Sequence, residues 1–384
     1  MRSFERQIPE VLGSRGHDRQ FALSRDLELS PVNYVTDREL SRSRSPRLDV
    51  RLCLMLRAQD HWETHWDAGH NWALVLAAGE GSRLQALTVT ASGVAVPKQF
   101  CSLGSDESLL HDALRRARVV AHPERTCTIV AEHHRRWWQE LRLGIPPQNV
   151  ISQPRNRGTA NGILLPLLHI AHRDPEATLL VLPSDHYVRN EEVLSTSLRT
   201  VMAELMRDRE HVILLGITPD DPDPELGYVV AEGDLGSDVR TVSEFVEKPS
   251  VAAARSLIAR GGLWNSFIFA ADAQALVRAF EARCPDLVGE MRHIITSAES
   301  PVRRARLAEL YQRLPELDFS RDILQRSPAL LRVTTVPPCG WSDLGTPRRV
   351  AETVGRIRAI PERLPAARAA TFLDLARTGH RVIV

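Results

Sequence analysis

WALVLAAGEGSRL, residues 72–84, is an apolar run that ends in two glycines and an arginine. A short run without polar alternation is the pattern of a strand buried on both faces. Gly79 and Gly81, at its carboxyl end, let backbone N–H groups turn towards an anion with no side chain in the way. In an open α/β sheet, ligands bind at that edge. Gly79, Gly81, Ser82 and Arg83 are therefore candidate phosphate-binding positions. An ordinary strand-to-helix turn is the competing reading. A Walker A loop needs a lysine that is missing here, and a dinucleotide fingerprint needs a third glycine where Leu84 stands.

Outward from this stretch, strands and helices alternate. TCTIVA (126–131), ATLLVLPSDH (177–186) and HVILLGI (211–217) read as strands. LLHDALRRARVVA (109–121), HHRRWWQELRL, GTANGILLPLLHIAHR (158–173, amphipathic) and VLSTSLRTVMAELM (193–206) read as helices. The alternation predicts an α/β, Rossmann-like fold with a mixed, mostly parallel sheet and helices on both faces. GYVVAE, VSEFVEK and LWNSFIFAA are expected as shorter strands of a mixed edge, and helices are expected over 346–358 and 362–377.

Residues 1–70 mix charges and serines with few apolar clusters and read as a poorly ordered extension. A translation start at Met55 would leave the first 54 residues outside the protein. His61 and His65 in HWETHW are four apart, but the glutamate is displaced from the H-E-x-x-H pattern and the segment reads as tail. Residues 71–355 are expected to form the catalytic domain and 356–384 a helical tail.

The 384-residue chain is 43% hydrophobic and 25% charged, with net charge +1. No bulk field recruits nucleic acid or an acidic membrane surface. No apolar run reaches membrane-span length, and the N-terminus lacks a signal-peptide core. Five cysteines at irregular spacing suggest neither a disulfide framework nor a zinc site, so a cytoplasmic setting is expected.

Of the 49 basic residues, only Lys98 (in PKQF) and Lys248 (in FVEKP) are lysine. A slim ammonium reaches a phosphate oxygen in a narrow pocket where a guanidinium fork does not fit. Lys98 follows Arg83 closely enough for both to surround one triphosphate. Asp185 in LPSDH and Asp343 in GWSDLGTP each follow a strand-like run. Two carboxylates at strand ends suit Mg2+, whose remaining positions go to phosphate and water. Helix caps or turns are the bland reading of each aspartate. Glu247 and Lys248 are adjacent, so one site uses both only if the strand ends there.

LAAGEGSRL, PKQF, LPSDH, FVEKP, WNSFIF and GWSDLGTP occur in an order and spacing that resembles the sugar-1-phosphate nucleotidylyltransferases, nearest the mannose-1-phosphate guanylyltransferase branch. The resemblance spans residues 72 to about 352. It implies transfer of a nucleotidyl group from a nucleoside triphosphate to a sugar-1-phosphate, with release of pyrophosphate. GTP and mannose-1-phosphate are the implied substrates. Alternatives are another pair, such as UTP with glucose-1-phosphate, or a non-catalytic sugar-nucleotide-binding regulator.

By this resemblance, Arg83 and Lys98 hold the triphosphate, Asp185 and Asp343 carry Mg2+, and Lys248 binds the sugar phosphate. Gly227, Glu247 and Asn265 meet the sugar. Ala77, Ala78, Gln153, Arg157 and Thr159 complete the nucleotide site. No nucleic acid or membrane partner is implied, and a homo-oligomer is left open. The sequence departs from the family pattern at Gln153 (usually glutamate), at Ala86 (usually proline) and at Phe267 (usually glycine), where a larger side chain is expected to narrow the sugar pocket. The extra C-terminal β-helix or isomerase domain of many relatives is not seen.

Overall fold

β1 (Asn71–Ala77) sits between two parallel neighbours, β2 (Thr126–Ala131) and β4 (Thr178–Pro183). Its continuous apolar run has a direct cause. Trp72 and Leu74 enter one core cluster, while Ala73, Val75 and Ala77 enter the other on the opposite face. The computed structural model describes residues 69–90, 93–103, 107–232, 239–297 and 300–358. Met55, HWETHW and the helix expected over 362–377 lie outside them.

The chain continues through α1 (Leu109–Ala117), β2, a short α2 (Arg135–Trp138), β3 (Val150–Gln153), α3 (Gly158–Arg173) and β4. It then forms α4 (Glu191–Arg207), β5 (Val212–Ile217), β6 (Tyr228–Glu232), β7 (Arg240–Val246) and α5 (Val251–Ala259). Next come β8 (Leu263–Asp272), α6 (Ala273–Glu281), α7 (Pro285–Ser297) and α8 (Ser300–Arg313). A π-helical turn (Phe319–Leu324), β9 (Leu331–Val336) and α9 (Pro347–Arg358) close the described part.

The strands form one sheet in the order β3-β2-β1-β4-β8-β5-β9-β7-β6, with β6 also paired to β8. Side chains of α3, α6, α7 and α8 build the core on one face, and those of α1, α4, α5 and α9 build it on the other. The two-faced α/β sandwich is as expected, but the sheet is not mostly parallel. Among the described residues, four of its pairings are parallel and five antiparallel. β8 was expected near an edge; it runs antiparallel between β4 and β5, in the interior. A fully buried strand has no polar face, so its hydropathy does not encode direction. α3 is also less amphipathic than expected: from Ala160 to Leu168 every side chain is buried. HHRRWWQELRL yields only a 3₁₀ turn and α2. No helix among the described residues is long and apolar enough to cross a membrane.

Candidate active site

The loop after β1 opens onto a cleft of about 490 Å³. Ala78, Gly79, Glu80, Gly81, Ser82 and Arg83 line one side of it, with Lys98 and Asp185 also in the wall. Ala77 is buried behind the loop. The Gln99 amide fixes the loop by donating to the carbonyls of Ala77 (2.9 Å) and Gly79 (3.0 Å). Pro97 is extended (φ −61°, ψ 138°) and leads into a 3₁₀ turn, Lys98–Phe100, that carries Lys98.

Lys98 is only 6% exposed. Its Nζ lies 2.8 Å from Asp185 Oδ2 and donates to the backbone carbonyls of Asp343 (2.7 Å) and Leu344 (3.3 Å). One ammonium thus joins the ends of three separate motifs. Arg83 behaves differently. It is half exposed and pairs with Glu225 at 2.6 Å on the cleft rim. An exposed pair of this kind contributes little and exchanges readily, so the guanidinium is available to an incoming anion.

Asp185 and Asp343 are brought together by a two-way backbone bridge between Tyr187 and Ser342, both bonds at 2.9 Å. Buried Arg116 holds the Asp185 segment from behind, bonding the His186 carbonyl (3.0 Å) and pairing with Glu191 (2.7 Å). Burial pushes the Asp185 carboxyl up, but the Lys98 ammonium and His186 beside it pull harder, leaving it below the usual carboxylate range. It is therefore ionised at neutral pH. Burial drives the His186 imidazole down to about 4, helped by Lys98 and Arg116 and opposed by Asp185 and Asp343. Neutral His186 accepts from Trp341 Nε1 at 3.3 Å.

Asp343 is not in the cleft wall itself; its neighbours Leu344 and Gly345 are. Its Oδ1 is buried without a hydrogen bond, 3.5 Å from Arg349 Nε. Arg349 is already engaged with Asp223 at 2.8 Å and stacks over Trp264. An ionised carboxylate in the wall and a second with an orphaned oxygen are a donor set that suits a hard divalent cation.

Gln153 ends β3 fully buried, lines the cleft, and has an Oε1 with no partner. Thr159 also lines the cleft, and its Oγ1 accepts from Phe319 N at 2.8 Å. Arg157 is not among the lining residues. Its guanidinium donates to the carbonyls of Tyr311 and Gln312, both at 2.8 Å. These carbonyls belong to the last turn of α8, where no intrahelical donor remains. Arg157 thus ties α8 to the start of α3.

The residues assigned to the sugar form a neighbouring group. β7 ends at Val246, and Lys248 adopts φ 49°. That left-handed turn brings Lys248 into the cleft wall 3.9 Å from Glu247 Oε1. Glu247 Oε2 occupies the space above Gly227, where a Cβ would meet it at 2.6 Å and Asn265 Cβ at 3.4 Å. A side chain at this position would displace the Glu247 carboxylate. Asn265 N donates to the Gly227 carbonyl at 2.8 Å. Among the described residues, the non-glycine positions with positive φ are Lys248, Phe267 and Leu344, all within these motifs. Such strain concentrates at functional sites. Phe267 N donates to Asn265 Oδ1 (3.1 Å), and its ring packs edge-on against Phe269 and Phe319 rather than lining the cleft.

Burial raises the Glu247 carboxyl to about 7, with Asp318 adding to the effect against Lys248. The folded state therefore holds a proton that the unfolded chain releases. The stability contribution of this group is greatest below the ordinary carboxylate pKa and declines as pH rises through about 7. In urea unfolding, wild type relative to Glu247→Gln is expected to lose about 2 kcal/mol between pH 5 and 7.5. A difference that does not change with pH would mean that Glu247 titrates normally.

Glu80 and Gln99 also shape the site, from within the glycine loop and PKQF, although neither was singled out in the sequence; Asn156 and Asp318 shape it with no local signal.

A family model for nucleotidyl transferases matches residues 72–358. A mannose-1-phosphate guanylyltransferase of Sinorhizobium fredii is 29% identical over 283 residues, 71% of this chain and 52% of that protein. Mannose-1-phosphate guanylyltransferase ManC of Salmonella typhimurium is 30% identical over 285 residues, 72% of this chain and 58% of that protein. This chain thus spans about half the length of the curated relatives it matches. A Thermus thermophilus crystal structure described as a mannose-1-phosphate geranyltransferase superposes with a TM-score of 0.63 at 26% identity. That match covers 74% of this chain and 79% of the other.

Proposed function

The chain belongs to the nucleotidyl transferase family, and on that premise we propose that it transfers a guanylyl group from GTP to mannose-1-phosphate. The observation that carries this reading is Lys98, whose buried ammonium joins Asp185 to the Asp343 turn behind a glycine loop. A phosphate oxygen of the sugar-1-phosphate attacks the α-phosphorus, and the bond to pyrophosphate breaks. The attacking oxygen is already anionic, so no general base is needed. The protein's work is positioning and charge neutralisation.

The residues gathered at the cleft have places in this scheme, and Arg157, held by the α8 carbonyls, has none. Backbone N–H groups of Gly79 to Ser82 cradle the triphosphate, with Arg83 at the rim and Lys98 on the floor. Lys248 receives the sugar phosphate. Glu247, near its pKa at neutral pH, and Asn265 meet sugar hydroxyls over Gly227. The free Gln153 Oε1 accepts from one of the two donors on the guanine edge. Asp185 and Asp343 would hold Mg2+, which when bound neutralises charge on the reacting phosphates. The cysteine usage supports a cytoplasmic setting.

The test is pyrophosphate release with Mg2+ across GTP, UTP, ATP, CTP and dTTP against mannose-, glucose- and related sugar-1-phosphates. Turnover is expected with GTP and mannose-1-phosphate and should vanish in Asp185→Ala. Turnover with another pair keeps the chemistry and moves the specificity. No turnover in folded protein favours a sugar-nucleotide-binding regulator.

A further inference from the structure

Glu80 lies in the glycine loop, and His133 and His134 follow β2. Their nearest ligand atoms all fall within 4.8 Å of one another. Glu80 Oε2 is 3.0 Å from His133 Nε2 and 3.4 Å from His134 Nε2. Two donors each held about 2.1 Å from a tetrahedral ion lie about 3.4 Å apart, so these separations already match a coordination shell. The two imidazole centroids are 4.0 Å apart, so both rings sit beside the same carboxylate. His134 is buried with the Phe100 ring edge-on to it, and its Nδ1 has no hydrogen bond. The ring is thus held with Nε2 towards Glu80.

We propose that Glu80, His133 and His134 form a second metal site, separate from the Asp185–Asp343 pair. Two imidazoles and one carboxylate select Zn2+, Co2+ or Ni2+ over Mg2+ and Ca2+. Three protein ligands leave a coordination position for water or a nucleotide atom. Glu80 lines the cleft, and its Oε1 accepts from Asn156, another lining residue, at 3.4 Å. The ion therefore clamps the glycine loop to the end of β2 at the rim of the nucleotide cleft, adding positive charge there.

The test is Co2+ titration of the full chain, free of a polyhistidine tag and stripped of metal, read by visible absorption. A single equivalent is expected to give the intense bands of a tetrahedral-like Co2+ centre, with Zn2+ displacing it. Glu80→Gln and His133→Ala should each weaken binding at least about tenfold. Both side chains are more than one-third exposed, so both variants should fold, as circular dichroism would check. Absence of the bands at stoichiometric Co2+ overturns the proposal. So does an unchanged titration in both variants, which would place the ion elsewhere, the His61–His65 pair included. The readout is independent of turnover, so it stands apart from the outcome of the guanylyl-transfer assay.

Discussion

Lys98→Ala is expected to lower pyrophosphate release by on the order of 10³, the scale of removing one preorganised charge from a transition-state site. Nζ is the shared donor for Asp185 Oδ2 and for the carbonyls of Asp343 and Leu344. The truncation leaves an ionised carboxylate and two carbonyls without it, so stability should fall by about 2 kcal/mol as well. Lys98→Arg separates the two effects. It keeps the charge, but a planar fork does not fit a slot that leaves lysine 6% exposed. It should therefore also lose activity, by about 10² or more. Lys248→Ala is the contrast. Its side chain is half exposed and only 3.9 Å from its nearest acidic partner, so stability should change by less than about 0.5 kcal/mol. Its defect should be a raised KM for the sugar-1-phosphate. Lys98→Ala turning over within a few-fold of wild type would remove Lys98 from the chemistry.

This arrangement was partly legible in the sequence. In a chain that uses arginine almost everywhere, two lysines in motif positions pointed to anion sites, and both line the cleft. Strand ends were legible because apolar runs stop abruptly at glycine, proline or aspartate. That placed Asp185 at the correct sheet edge. The direction and order of the strands were not legible. β8 enters the sheet interior antiparallel through contacts with β4 and β5, strands tens of residues away in sequence. Partnerships between distant residues were also hidden. Nothing in RNRG tells that Arg157 serves the carbonyls of Tyr311 and Gln312. Nothing in AGEG tells that Glu80 meets two histidines 53 and 54 positions later.

The same long-range tie predicts the largest stability loss. Gly158, the first residue of α3, has φ +85°, and a Cβ there would lie 2.2 Å from the Leu317 carbonyl oxygen and 2.9 Å from Leu317 N. Leu317 cannot simply move aside. Its N donates to the Arg157 carbonyl (3.1 Å), and its carbonyl accepts from Ala160 N (3.0 Å). Gly158→Ala therefore combines left-handed strain of about 1–3 kcal/mol with the loss of these two bonds at about 1 kcal/mol each. A destabilisation of about 3–5 kcal/mol is expected, read as a fall in the urea midpoint. Gly79→Ala is the matched control, since the space at its Cβ is open and stability should change by no more than about 1 kcal/mol. Gly158, Thr159 and Asp318 line the cleft beside Gln153. Any Gly158→Ala protein that remains folded should therefore bind the nucleoside triphosphate more weakly. Equal stability of the two variants would show that the Leu317 segment yields freely, and that the cleft wall is not held by this tie.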